Sequence, residues 1–197
     1  MLTLETSLSR KGGCRMRGIA KVTIKGRVAT NPEPYDDDHM SFFLELKRKD
    51  EDVTHEWWMK IPNEICYPSI REGIFLEVIG ELRKDKMVDE NGLRRPWSFV
   101  YVDQTYELEG EEHENHVEFE GIVLVKDDDV YTERKKARKV LFLVNDPDDI
   151  TVCCMVWKKF SLKLIHYDTF KVVGSLECYE VNGVLLYTVS VQKINAV

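Results

Sequence analysis

Between residues 20 and 108, apolar and polar positions alternate with a period of two in five separate runs. That is the pattern of half-buried β-strands. Residues 20–30, AKVTIKGRVAT, set Val22, Ile24, Gly26 and Val28 against Lys21, Thr23, Lys25 and Arg27. Residues 41–47 place Phe42, Leu44 and Leu46 on one face and Phe43, Glu45 and Lys47 on the other. Residues 54–61, THEWWMKI, form a third run, residues 74–84 a fourth and residues 96–108 a fifth. Residues 62–71 begin with a proline break and continue as a short helical stretch. Residues 89–92, DENG, supply a hairpin turn between the last two strands.

The pattern then repeats. VTIKGRV at 22–28 matches VEFEGIV at 117–123, and VIGEL at 78–82 matches VVGSL at 172–176. Gly26 and Gly80 are 54 residues apart, Gly121 and Gly174 are 53 apart, and Asn91-Gly92 has its counterpart in Asn182-Gly183. Marks in the first strand, the fourth strand and the last hairpin thus recur in order, which points to an internal duplication. Between the copies lies LEGEEHENH at 108–116, polar and without periodicity, which reads as an acidic linker. The expected organisation is a flexible segment 1–17, a first domain 18–108, a linker 109–116 and a second domain 117–197. Five strands, a helix between the third and fourth, and a glycine midway along a long first strand fit an OB fold. The glycine lets that strand bend to serve both ends of a barrel. An immunoglobulin-like sandwich would need about seven strands and no internal helix. The expected fold class is therefore all-β: two tandem five-stranded OB barrels, each with a short helix between strands 3 and 4.

Composition narrows the function. A 197-residue chain with 43% hydrophobic and 32% charged residues is an ordinary globular composition. No apolar run approaches the roughly 18 residues of a membrane span, and the first 18 residues hold no signal-peptide core. Five scattered cysteines without a CxxC argue for reduced thiols in a cytoplasmic protein, not a disulfide framework or a zinc ribbon. The net charge of −7 counts weakly against nucleic acid, but four uncompensated carboxylates fall within 108–116 alone. No GxSxG, Walker loop or HExxH occurs, so no catalytic residue, no metal ligand set and no cofactor is expected. His113 and His116 with Glu112 and Glu114 sit in the linker without thiol support, and a solvated linker accounts for them.

Three segments carry a family resemblance. KVTIKGRVATNPE at 21–33 resembles the opening strand of bacterial and phage single-stranded DNA-binding proteins. HEWWMKI at 55–61 is similar to their third strand, and REGIFLEVIGELRKDKMVDENG at 71–92 to their helix end, fourth strand and hairpin. The resemblance covers about 80 residues, on the scale of one domain; residues 117–197 are similar only at the level of fold. It departs at Met87, where the family often has a stacking aromatic, and at Pro62, where the family's strand continues. The family's acidic tail has no counterpart after Val197, which puts tail-mediated recruitment of other proteins in doubt. The resemblance implies sequence-tolerant binding of single-stranded DNA in replication, recombination or repair. It also implies four OB folds per assembly, hence a homodimer, with replication proteins as further partners.

Such binding needs cations for phosphates and aromatic faces for bases. The polar face of the first strand offers Lys21, Lys25 and Arg27. On the third strand Glu56, Trp58 and Lys60 share the polar face, so Trp58 is the ring expected to be exposed and Trp57 the inward one. Either tryptophan can align with the family's stacking residue. Phe43 lies on the polar face of the second strand. The hairpin flanks carry Arg83, Lys84, Lys86, Arg94, Arg95 and Trp97. In the second region Glu118 and Glu120 replace Thr23 and Lys25, and the cations gather at Lys135, Lys136, Arg138 and Lys139 and at Lys158 and Lys159 beside Trp157. These loops extend a DNA path or serve as a dimerisation or partner module; the sequence leaves both open. The alternative function is an OB-fold adaptor in a primosome or phage replication complex, acting mainly through protein contacts.

Overall fold

The computed structural model describes residues 18–48, 53–88, 94–131, 136–145, 150–157, 164, 168–181 and 184–197. They form eleven strands: β1 (Lys21–Val28), β2 (Glu33–Pro34), β3 (His39–Lys47), β4 (Thr54–Pro62), β5 (Phe75–Val88), β6 (Arg94–Glu107), β7 (Glu114–Tyr131), β8 (Lys136–Asn145), β9 (Ile150–Trp157), β10 (Thr169–Val181) and β11 (Val184–Ala196). The predicted DENG turn and the predicted helix of the second region lie outside the described residues. In the first region the predicted helical stretch is a three-residue 3-10 turn, Asn63–Ile65. Pro62 and Pro68 bracket it, leaving too few residues to repay helix nucleation.

Strands β1, β5, β6, β4 and β3 close on themselves. β1 pairs with β5 along one edge and with β3 at Arg27 and Val28 on the other. β5–β6 and β3–β4 are antiparallel, and a short parallel pairing of β4 with β6 completes the barrel. The architecture is all-β, and this closed five-strand barrel is consistent with an OB fold. Strands β7, β10, β11, β9 and β8 follow the same pairing scheme, again with a single parallel contact, β9 with β11.

Burial follows the alternation. Val22, Ile24, Val28, Phe42, Leu44, Leu46, Trp57, Met59 and Ile61 are buried, as are Val117, Phe119, Val123, Val140 and Phe142 in the second region. Together they form one continuous hydrophobic cluster that spans both regions. Gly80 and Gly174 allow close strand approach. A Cβ would stand 2.1 Å from the Tyr101 carbonyl oxygen in the first case and 2.4 Å from that of Ser190 in the second.

The two regions join through their first strands. β1 and β7 pair antiparallel from Lys21↔Glu118 to Lys25↔Glu114. The pairing includes Val22↔Val117, the residues that open the matching motifs VTIKGRV and VEFEGIV. Each also faces its own repeat's glycine, Val22 opposite Gly80 and Val117 opposite Gly174. The last residues of the predicted acidic linker, Glu114–His116, are therefore the start of β7 and carry ladder hydrogen bonds to β1. A polar segment without apolar alternation still forms a strand when a neighbouring edge offers paired donors and acceptors. Further contacts tie the regions together. Arg48 Nε donates to Glu177 Oε2 at 2.7 Å, Arg48 Nη2 to the Cys178 carbonyl at 2.9 Å, and His55 Nε2 lies 3.0 Å from the Leu176 carbonyl oxygen.

Candidate nucleic-acid interface

One face of the first barrel gathers rings and cations. On β4 the inward residues are Trp57, Met59 and Ile61, so Trp58 and Lys60 stand outside the barrel wall. On β6 Val100 and Val102 are inward, so Phe99 and Tyr101 stand outside. Register then assembles the face. Phe43 is opposite Trp58, Lys60 is level with Tyr101, and Arg83 is opposite Phe99.

The rings contact one another. Trp58 meets Phe99 at 5.3 Å between centroids and Tyr35, which follows β2, also at 5.3 Å, both within the range of favourable aromatic pairs. Trp58 is thereby buried, with 6% exposure, although it was the ring expected to be exposed. Alternation put it on the outer side, as expected; Tyr35 and Phe99, distant in sequence, then closed over it. Trp57 is fully buried, with its ring edge-on to Tyr187 at 5.5 Å. The exposed ring of the group is Tyr35, while Phe43 and Tyr101 are half-buried.

The cations of this face are each held by a carboxylate and a ring. Lys60 Nζ lies 4.2 Å from the Tyr35 centroid and donates to Asp36 Oδ2 at 2.8 Å. Arg83 sits 4.1 Å over the Tyr101 ring and donates to Glu81 Oε2 at 3.1 and 2.9 Å. His39 bridges, with Nδ1 2.6 Å from Asp36 Oδ1 and Nε2 3.2 Å from the Tyr101 hydroxyl. The hydrogen bond from Lys60, then that with His39, holds the Asp36 carboxyl far below the usual carboxylate range. Both pairs lie at the surface with one partner partly covered, where an incoming phosphate would compete with the carboxylate for the cation.

The cations of β1 have other partners. Lys25 donates to Glu112 at 2.8 Å and has Glu114 at 3.6 Å; these contacts raise its pKa. Arg27 pairs with both oxygens of Glu45 at 3.0 and 3.1 Å, while Lys21 is exposed. Lys84 is drawn to the second region, donating to Thr151 Oγ1 at 2.7 Å. Lys86, Arg94, Arg95 and Trp97 lie on the paired arms of β5 and β6, described by backbone alone. Of the second-region residues, Lys135, Lys158 and Lys159 lie outside the described residues, and Lys136 is placed by its backbone in β8. Arg138 is exposed and Lys139 half-buried on the same strand. Trp157 is half-buried, and its indole N–H donates to Ser190 Oγ at 3.0 Å.

Sequence reasoning missed four members of the face: Tyr35, His39, Phe99 and Tyr101. The signal for Phe99 and Tyr101 was present, since SFVYVD at 98–103 alternates them with Val100 and Val102. Tyr35 and His39 sit in NPEPYDDDHM, where no periodicity marks a face. Among the described residues no cluster of three His, Cys, Asp or Glu side chains is placed to hold a metal ion, and no helix is long and apolar enough to cross a membrane.

The fold has close counterparts among solved structures. The wild-type single-stranded DNA-binding protein of Thermus aquaticus superposes with a TM-score of 0.70 at 18% identity, covering 91% of this chain and 93% of that one. A deletion variant of that protein gives 0.70 at 16% identity, covering 91% and 95%. The chain thus has the fold of single-stranded DNA-binding proteins over nearly its full length, in keeping with the likeness seen in its first-region motifs. No protein-family model matches it, and no curated protein sequence does.

Proposed function

We propose that this protein binds single-stranded DNA without catalysis, as two tandem OB barrels comprising residues 18–108 and 117–197. The observation that carries the reading is the outer face of the first barrel, where Tyr35, Phe43 and Tyr101 surround a buried Trp58 and Lys60 and Arg83 flank them. Rings accept bases of any identity, at about 1–3 kcal/mol per stacked base. Two or three such contacts sum to about 2–9 kcal/mol, the upper end of which reaches the roughly 8 kcal/mol of a micromolar complex before the costs of association. They outweigh a net charge of −7, because salt screens carboxylates more than about 10 Å away. The Thermus likeness is one of fold and supports the reading without extending to residues. The cellular setting is replication, recombination or repair, where unpaired strands arise, and the assembly is a homodimer.

The test is a titration with poly-dT at low and high salt, followed by tryptophan fluorescence. Binding that quenches the emission and weakens with salt is expected, and Tyr101→Ala is expected to weaken it about tenfold, the loss of one stacked base. Absence of binding at low salt refutes the reading and turns attention to protein partners of an OB adaptor.

A further inference from the structure

We propose that only the first barrel carries a strand-binding face and that the equivalent surface of the second is a closed packing surface. The inference rests on the strand-binding reading above. Parallel pairing supplies the equivalence. In the first region Met59 faces Val100 and Lys60 faces Tyr101. In the second Cys154 faces Val189 and Met155 faces Ser190. Met59, Val100, Cys154 and Val189 are all fully buried, so the two registers superpose with the same residues inward. The outer residues Trp58, Lys60, Phe99 and Tyr101 therefore correspond to Cys153, Met155, Thr188 and Ser190. A ring-and-cation set has become one with neither.

Three of the four residues in the second set are also buried, and Cys153 is half-buried. Met155 is 0% exposed, Thr188 2% and Ser190 8%. Their hydroxyls are already bonded. Thr188 donates to the Cys153 carbonyl at 2.7 Å, and Ser190 accepts from the Trp157 indole at 3.0 Å. Trp157 is held edge-on to Tyr179 at 5.9 Å, and Tyr179 in turn lies 5.0 Å beneath Arg48 of the first region, which is paired with Glu177. That ring belongs to the joint between the regions. The first strand of the second barrel adds to the asymmetry. Glu118 and Glu120 stand where the first barrel has Thr23 and Lys25, and the nearby cation Lys171 is bound to Glu118. A polyanion thus meets rings and exchangeable cations on one barrel and bonded hydroxyls with carboxylates on the other.

Stoichiometry tests this directly. An oligo-dT of about eight nucleotides lies within the span a single OB fold covers. Native mass spectrometry of the full chain at saturation is expected to show one such oligomer per chain. Two per chain would overturn the proposal. A second measurement uses Arg138, exposed, and Lys139, half-buried, neither of which belongs to the hydrophobic core. Arg138→Gln with Lys139→Gln is expected to leave affinity and salt dependence as in the parent, whereas a lost phosphate contact would lower the log–log salt slope by about 0.7. A loss there matching that of Tyr101→Ala would overturn the proposal. A parent protein that binds no oligo-dT at all rejects the strand-binding reading itself, a result distinct from two oligomers per chain.

Discussion

Gly80→Ala should damage both the fold and the face built on it. A Cβ there would stand 2.1 Å from the Tyr101 carbonyl oxygen, 3.0 Å from the Tyr101 carbonyl carbon and 3.2 Å from the Val102 Cα. All three atoms are backbone, so no side chain can swing aside. Ordinary non-bonded contacts lie near 3.5 Å, so β6 must retreat by more than about 1 Å. β5 and β6 already shift register between Ile79 and Gly80, and β6 cannot retreat without weakening the ladder bonds on either side. Overpacking with a backbone shift costs about 1–3 kcal/mol, and one lost ladder bond adds about 1 kcal/mol. The expected loss is about 2–4 kcal/mol out of the 5–15 kcal/mol typical of a folded domain. Urea unfolding followed by the emission of the buried Trp57 and Trp58 measures it. Gly110→Ala is the control: a Cβ there meets nothing within 4 Å, and the change should stay within about 0.5 kcal/mol. Because β6 carries Phe99 and Tyr101, the folded fraction of Gly80→Ala should also bind oligo-dT more weakly. A loss below about 1 kcal/mol with unchanged binding would refute this account of the close approach.

Three further outcomes follow from the same geometry. Arg48→Met removes the charged partner of the Glu177 carboxylate, which is 5% exposed; a loss of about 3 kcal/mol in urea unfolding is expected, and Glu177→Gln in the same chain should restore most of it. Asp36→Asn releases Lys60 from its ion pair, so affinity for oligo-dT at low salt should rise by up to about fivefold, the value of an exposed pair; a fall would contradict the assignment of Lys60. Burial pushes the His55 pKa below its ordinary 6.5, against an opposing pull from Glu177. The unfolded chain therefore takes up this proton first, so the contribution is fully present above pH 6.5 and is lost as pH falls towards the lower folded value. His55→Gln should flatten that part of the urea-midpoint profile against pH.

Much of the barrel was legible because alternation fixes which side of a sheet each residue takes. Trp57, Met59 and Ile61 were assigned inward from THEWWMKI and are buried. The two glycines that the repeated motifs share, Gly80 and Gly174, both stand at close approaches that exclude a side chain. Alternation is silent about what lies over a face once it has been assigned. Trp58 was placed on the correct side of β4, yet it is covered by a ring 23 residues before it and another 41 after it. Lys25 was offered as a phosphate contact on the polar face of the first strand, yet Glu112, 87 residues away, is paired with it.

The sequence by itself determined the main strands of the first region and their inward faces, because these depend on neighbours one to four residues apart. Only the tertiary structure decided that the last residues of the acidic segment, from Glu114, enter β7 and that Tyr35 and Phe99 close over Trp58. Those outcomes depend on which distant strands share an edge. The strand pairings β1–β7, β4–β6 and β9–β11 settle that, and none of them connects residues close in the chain.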